Sequence, residues 1–188
     1  MVTDTSSVRE LIEAEDFDRY HRQRLIPWWD QERLSNSRVL VVGAGALGNE
    51  ILKNLALMGV GHTLVVDMDH IERSNLSRSV LFRIEDEGRG KAEAACEAMH
   101  GLNPDARVRT HSFSGNLIHG LGLGAFAWAD VVIGGLDNRE ARLFVSQACA
   151  LMGRLWVDGA IEGLDGIVRV FDPARGACYE CTMNQTDR

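Results

Sequence analysis

Residues Val39 to Asp67 read VLVVGAGALGNEILKNLALMGVGHTLVVD. Four apolar residues, Val39 to Val42, make the short continuous run of a strand buried on both faces. The run breaks at Gly43-Ala44-Gly45-Ala46-Leu47-Gly48. A helix then places Ile51, Leu55 and Met58 on one face and stops at Gly59 and Gly61. A second apolar run, Leu64 to Val66, ends in Asp67. Strand, glycine turn, helix, strand and terminal acid occur in the order of a mononucleotide-binding βαβ unit. The first glycine permits the tight turn, the second lets backbone approach phosphate, and the third lets helix lie close on strand. The carboxylate of Asp67 can accept hydrogen bonds from a ribose.

Length and composition set the frame around this unit. A chain of 188 residues suits one domain with a sizeable core, and 45% hydrophobic with 25% charged residues is an ordinary balance for a water-soluble fold. A formal net charge of -7 argues against a broad nucleic-acid or anionic-membrane surface while leaving room for a local basic pocket. No run of 18 apolar residues exists to cross a membrane, and the polar, acidic start is unlike a signal peptide. Four cysteines, Cys96, Cys149, Cys178 and Cys181, are not a disulfide framework at this length, which implies a reducing, cytoplasmic setting.

Outward from the unit, the N-terminal side carries a short helix over Ser7 to Ala14, with Ser7 and Glu10 at capping-box spacing. An arginine-dense turn, Asp18 to Arg24, leads to Trp28-Trp29, read as a packing patch. On the C-terminal side, a loop rich in polar residues runs from Met68 to Arg78. A helix over Lys91 to Met99 has Ala92, Ala95 and Met99 in phase and Gly101 as its stop. Val108 to Ser112 alternates weakly as a strand, and the glycine-rich 115–128 stretch suggests short irregular helix. Ala129 to Gly134 is a buried-type strand that runs into Leu136-Asp137-Asn138. A helix over Arg139 to Met152 follows, with Leu143, Ala148 and Leu151 as core contacts. Leu155 to Asp158 is a strand, and Leu164 to Phe171 alternates like an antiparallel one. Cys96 and Cys149 fall on helices as small buried hydrophobes. The order predicts a doubly wound, mostly parallel, Rossmann-like α/β sheet with an antiparallel C-terminal strand. Ligands of such sheets sit beyond the carboxyl ends of the strands, where Gly43 to Gly48, Asp67 and Asp137 all fall.

Seven short motifs then stand in register: RYHRQ (19–23), GAGALG (43–48), VVDMD (65–69), SNLSR (74–78), GRGKA (88–92), LDNREAR (136–142) and CYEC (178–181). In order and spacing the chain resembles the adenylating portion of the ubiquitin-activating superfamily, of which bacterial ThiF and MoeB are the simpler members. The resemblance implies ATP-dependent joining of the C-terminal carboxylate of a ubiquitin-like or sulfur-carrier protein ending in Gly-Gly to AMP, with release of pyrophosphate. It implies that Gly43, Gly45, Gly48, Asp67, Asp69 and Asn75 bind the nucleotide, and that Arg78 and Lys91 contact the triphosphate. Asp137 would hold Mg²⁺, and Arg22 would act on the nucleotide of a partner subunit in a homodimer. A guanidinium suits a bidentate grip on phosphate, an ammonium acts as a point charge, and a hard carboxylate suits Mg²⁺. Arg139 and Arg142 read as structural helix residues.

Cys178 and Cys181 can supply only half of a four-cysteine Zn²⁺ site. The family's second pair and its catalytic cysteine lie further along, so this sequence holds no recognisable thioester nucleophile; it reads as cut short, as one half of a split enzyme or as completed by a second polypeptide, with a missing continuation the favoured expectation. The expected organisation is an N-terminal helical arm (1–34), an ATP-binding adenylation domain (35–177) and the start of a CxxC segment (178–188). Two other readings share parts of the pattern. An NAD-dependent oxidoreductase uses the same glycine fingerprint but has no need of Asn75, Arg78, Lys91 and Asp137. A non-catalytic scaffold subunit of an adenylating complex would keep the fold without those charges.

Overall fold

The computed structural model describes residues 18–105 and 107–183. The helix expected over Ser7 to Ala14 lies outside them. Two short helices, α1 (His21–Arg24) and α2 (Gln31–Asn36), precede β1 (Arg38–Val42), α3 (Ala46–Met58) and β2 (His62–Asp67). Then come α4 (Lys91–Leu102), β3 (Arg109–Ser114), α5 (Leu117–Gly120), α6 (Leu123–Trp128) and β4 (Val131–Gly134). The last elements are α7 (Arg139–Met152), β5 (Leu155–Glu162) and β6 (Asp165–Phe171).

The strands form one six-stranded sheet in the order β3-β2-β1-β4-β5-β6. Every pairing is parallel except β5 with β6, which closes as a hairpin through Gly163 at a φ of +63°. The central strand β1 is buried from Val39 onward, and its alternate side chains enter two cores. Val39 and Val41 meet Leu52, Leu55 and Ala56 of α3 and Ala92, Ala95 and Met99 of α4. Leu40 and Val42 meet Phe126 of α6, Val145, Ala148 and Cys149 of α7, and Trp156 of β5. Helices thus cover both faces, as parallel strands buried on both sides require.

Helices α3 and α7 end alike. Gly59 and Gly153 take φ of +74° and +62°, and the next N–H reaches back to Leu55 and Cys149 at 3.1 and 2.8 Å. At Gly59 this is the glycine stop that the sequence predicts. Gly101 is not one: α4 continues through it to Leu102 and is capped by Asn103. Leu151 is also not a core contact. It is 70% exposed, because the buried face of α7 runs through Ala141, Val145, Ala148 and Cys149 and leaves Leu151 outside it. Trp28 is 78% exposed, so the tryptophan pair is no packing patch within this chain; only half-buried Trp29 is tied down, donating Nε1–H to Gln31 at 3.0 Å. The weak third strand begins one residue later than expected and runs to Ser114, held by its ladder with β2.

Candidate nucleotide site

Strand order reverses between β1 and β4, and the loops after these two strands form the lips of a crevice at their carboxyl ends. Gly43 leaves β1 at a φ of +94°, and its N–H bonds to Val66 O at 2.8 Å. Gly135, on the other lip, donates to Val42 O at 2.9 Å. The lips touch through glycine. A Cβ on Gly43 would stand 2.5 Å from Gly135 O, and one on Gly48 would stand 2.0 Å from Gly43 O. A Cβ on Gly45 would meet nothing within 4 Å, so this glycine faces open space. Helix α3 starts at Gly45 with no side-chain cap, leaving first-turn N–H groups at its N-terminus for an anion.

Asp67 ends β2 behind the loop. One carboxylate oxygen accepts from Ala44 N–H at 2.7 Å and the other from Asp69 N–H at 2.8 Å. Burial pushes its carboxyl above the usual carboxylate range against the pull of these two amides. Three backbone bonds zip 69–71 to 88–91: Ile71 N to Arg89 O at 2.9 Å, Gly88 N to Ile71 O at 2.8 Å, and Lys91 N to Asp69 O at 2.9 Å. That zipper sets Lys91 Nζ 2.8 Å from Asp69 Oδ2. Asn75 is buried in a tight turn, where its Oδ1 accepts Glu72 N–H at 3.1 Å. Exposed Arg78 donates to Ser74 O at 2.7 Å. Asp137 is exposed on the second lip, and Asn138 Nδ2 lies 3.4 Å from its Oδ1.

The residues expected at the nucleotide therefore gather on or beside the loops after β1, β2 and β4, with one exception. Arg22 lies on α1, at the opposite end of the sheet. There Tyr20 is buried against Gly59, and Asn103 Nδ2 donates to Tyr20 Oη at 2.6 Å and to Ala56 O at 2.7 Å. Arg19 donates to Leu102 O at 2.9 Å, Gln31 Nε2 to Met58 O at 2.9 Å, and Gly61 N to Leu34 O at 3.0 Å.

Two residues of the site escape the motif reading. Asn49 is fully buried beneath the glycine loop and bonds to both Ala44 and Gly45. Its signal was a polar residue in phase with Leu52 and Ala56 on the buried helix face. Asp158, buried near the end of the parallel part of β5, pairs with Arg142 at 3.3 Å, and Arg142 also donates to Leu136 O. This pair braces the Asp137 loop from below. Asp158 is a strand-end acid like Asp67, and burial raises its carboxyl while Arg142 pulls it down.

The crevice has the donor chemistry for Mg·ATP. One exposed carboxylate, Asp137, with phosphate oxygens and water is a sufficient ligand set for Mg²⁺. For Zn²⁺ the described residues offer less. Cys178 and Cys181 Sγ atoms are 3.5 Å apart, near the roughly 3.8 Å that Zn–S bonds of about 2.3 Å would set. No group of three or more His, Cys, Asp or Glu side chains able to hold a metal occurs among the described residues. Hydrogen bonds from Cys181 lower the Cys178 thiol, whereas burial pushes Cys96 up to about 11 and Cys149 up to about 12.

Comparison with known proteins agrees with this fold. The ThiF family profile matches residues 18–188. A sulfur carrier protein adenylyltransferase of Thermus thermophilus is 41% identical over 175 residues, covering 89% of this chain and 64% of that protein. A probable adenylyltransferase/sulfurtransferase MoeZ of Mycobacterium tuberculosis is 38% identical over 163 residues, covering 85% of this chain and 41% of that one. Human ubiquitin-like modifier-activating enzyme 7 is 43% identical over 150 residues, or 76% of this chain and 15% of its own length. The chain thus spans less than two thirds of these relatives. The crystal structure of E. coli MccB with MccA-N7isoASN shares the fold, with a TM-score of 0.77 at 23% identity, covering 92% of this chain and 55% of that one.

Proposed function

Because the chain belongs to the ThiF family, we propose that it is the nucleotide-binding part of an adenylyltransferase. Its substrates are ATP and the C-terminal carboxylate of a ubiquitin-like or sulfur-carrier protein ending in Gly-Gly. The observation that carries this reading is the crevice at the β1–β4 reversal. An uncapped helix N-terminus and an open Gly45 form one lip, and the exposed carboxylate of Asp137 stands on the other. The carrier carboxylate attacks the α-phosphorus, the bond to the β-phosphate oxygen breaks, and pyrophosphate leaves. Negative charge accumulates on the transferred group, so cations and fixed dipoles lower the barrier. Loop amides and the α3 N-terminus hold phosphate, and Asp67 meets the ribose with the lone pairs its amide partners leave. Lys91 and Arg78 neutralise the triphosphate, with Asn75 and Asp69 shaping the same rim. Asp137 would hold Mg²⁺, which when bound would supply positive charge against the phosphates.

The same reading includes a cytoplasmic homodimer in which Arg22 serves the partner's crevice. Cys178 and Cys181 would be half of a Zn²⁺ site whose other ligands lie elsewhere. The unit 35–177 would form the adenylation domain, and the segment before it an arm. The names of the relatives, sulfur carrier protein adenylyltransferase among them, support the carrier substrate. The test is carrier-dependent ATP–pyrophosphate exchange. Asp137→Ala should abolish it at unchanged thermal stability, since an exposed loop carboxylate supports no core. Wild-type exchange by that variant would remove Asp137 from the metal site.

A further inference from the structure

We infer that Asn49 is a positioning residue that aims the amides of the glycine loop at phosphate and locks that loop to the segment bearing Arg78. The inference rests on the nucleotide reading above. Asn49 is wholly buried, and all of its amide group is engaged with backbone. Nδ2 donates to Ala44 O at 2.7 Å and to Gly45 O at 3.1 Å. Oδ1 accepts from Leu81 N–H at 2.9 Å, three residues after Arg78.

The geometry has a directional consequence. In a trans peptide the C=O and the following N–H point in opposite directions. Drawing the carbonyls of Ala44 and Gly45 down onto Asn49 turns the N–H groups of Gly45 and Ala46 the other way. Gly45 itself has open space beside it, where a Cβ would meet nothing within 4 Å. The loop is therefore not free to present a carbonyl to a phosphate oxygen. The third bond makes one side chain the hinge pin between the glycine loop and the Ser79–Phe82 turn. A shift of one moves the other, and with it the root of the Arg78 side chain. An apolar residue at 49 would leave the Ala44 carbonyl and the buried Leu81 N–H short of partners and let the Ala44–Gly45 peptide plane rotate, while Gly45 O would keep only the backbone N–H of residue 49, at 2.8 Å.

Phosphate-bearing and phosphate-free ligands separate this role from a general contribution to folding. In the full chain, Asn49→Ala should lose at least about tenfold in affinity for Mg·ATP, the scale of a charge-assisted hydrogen bond, and hold adenosine within about twofold of wild type. Asn49→Asp adds a readout that stability alone does not move. As a carboxylate it repels the two carbonyls. As a neutral acid it regains one O–H donor toward Ala44 O and keeps an acceptor for Leu81 N–H. Its ATP affinity, divided by that of wild type at the same pH, should rise as pH falls, and the buried site brings that rise toward neutrality. Calorimetric titrations with Mg·ATP and with adenosine between pH 5 and 8 read both effects. Parallel loss of ATP and adenosine in Asn49→Ala, or an Asn49→Asp to wild-type ratio flat with pH, overturns the positioning role. If Asn49→Ala does not fold, the Asn49→Asp profile decides alone. A wild-type chain that binds no Mg·ATP overturns the nucleotide reading itself, an outcome distinct from a variant that keeps the ATP-to-adenosine ratio.

Discussion

Two glycines three residues apart should fail in opposite ways when each becomes alanine. The Gly48 methyl would sit 2.0 Å from Gly43 O and 2.8 Å from Gly43 C, where ordinary contact begins near 3.4 Å. Both blocking atoms are backbone, so no side chain can swing aside. Either α3 or the loop must move. Overpacking of this kind costs about 1–3 kcal/mol. In a domain of this size each kcal/mol lowers Tm by about 2–4 °C, so Gly48→Ala should melt several degrees early. The Gly45 methyl meets nothing, and the backbone there, at φ -71° and ψ -159°, is open to any residue. Its only folding cost is a poorer helix cap, no more than about 1 kcal/mol, or a few degrees. The methyl would instead fill the space assigned to phosphate. Losing one amide bond to a charged group costs about 1.5–3 kcal/mol, roughly tenfold to 150-fold in affinity. Differential scanning fluorimetry and calorimetric titration with Mg·ATP read the two quantities on the same samples. A Gly45→Ala chain that binds Mg·ATP as wild type does would refute the assignment of this loop to phosphate, whatever its Tm.

On the proposed homodimer, Arg22→Ala and Asp137→Ala proteins should each be inactive in pyrophosphate exchange, and mixing them in full-length form should restore activity; no recovery despite demonstrated subunit exchange sinks the trans role. Iodoacetamide on the native protein should label Cys178, whose thiol is lowered, and exposed Cys181, but label buried Cys96 and Cys149 only in denaturant, as peptide mass mapping would show. Asp158 keeps its proton to higher pH when folded than when unfolded, so its contribution is present below the ordinary carboxylate value and is lost as pH rises through the raised one. Asp158→Asn should therefore flatten the fall of urea-unfolding stability with rising pH just above pH 4, and an unchanged slope would place the titration elsewhere.

The sequence reading succeeded where a physical signal is local. β1, its glycine turn and α3 announce themselves by an apolar run, three glycines with different steric duties, and a glycine stop. Gly101 shows the limit of that rule. Glycine ends a helix when the chain turns left-handed there, and Gly101 does not, because Asn103 supplies the cap. Leu151 shows another limit, since counting apolar residues does not fix which phase of a helix the sheet covers. Asn49 and Asp158 were missed for one reason. A buried polar side chain is invisible to hydropathy, and its worth lies in backbone partners that only the folded chain brings near. β3, half polar from Arg109 to Ser114, gains its register from β2 rather than from its own alternation.

The position of Arg22 follows from how the arm is fastened. Tyr20, Gln31 and Leu34 all hold the chain to the turn that ends α3. Helix α3 begins at the glycine loop and spans Ala46 to Met58, which at about 1.5 Å per residue separates its ends by roughly 18 Å. An extended arginine side chain, six bonds of about 1.2–1.5 Å from Cα, reaches roughly 7 Å. Arg22 therefore falls well short of the crevice in its own chain unless the Tyr20 anchor lets go. Releasing it would uncover a buried tyrosine and strip Asn103 of a partner. If Arg22 meets a nucleotide at all with this anchor intact, the nucleotide is bound to another molecule. The neighbouring Trp28, exposed in the single chain, offers apolar surface on the same arm for the contact between two copies that such an exchange requires.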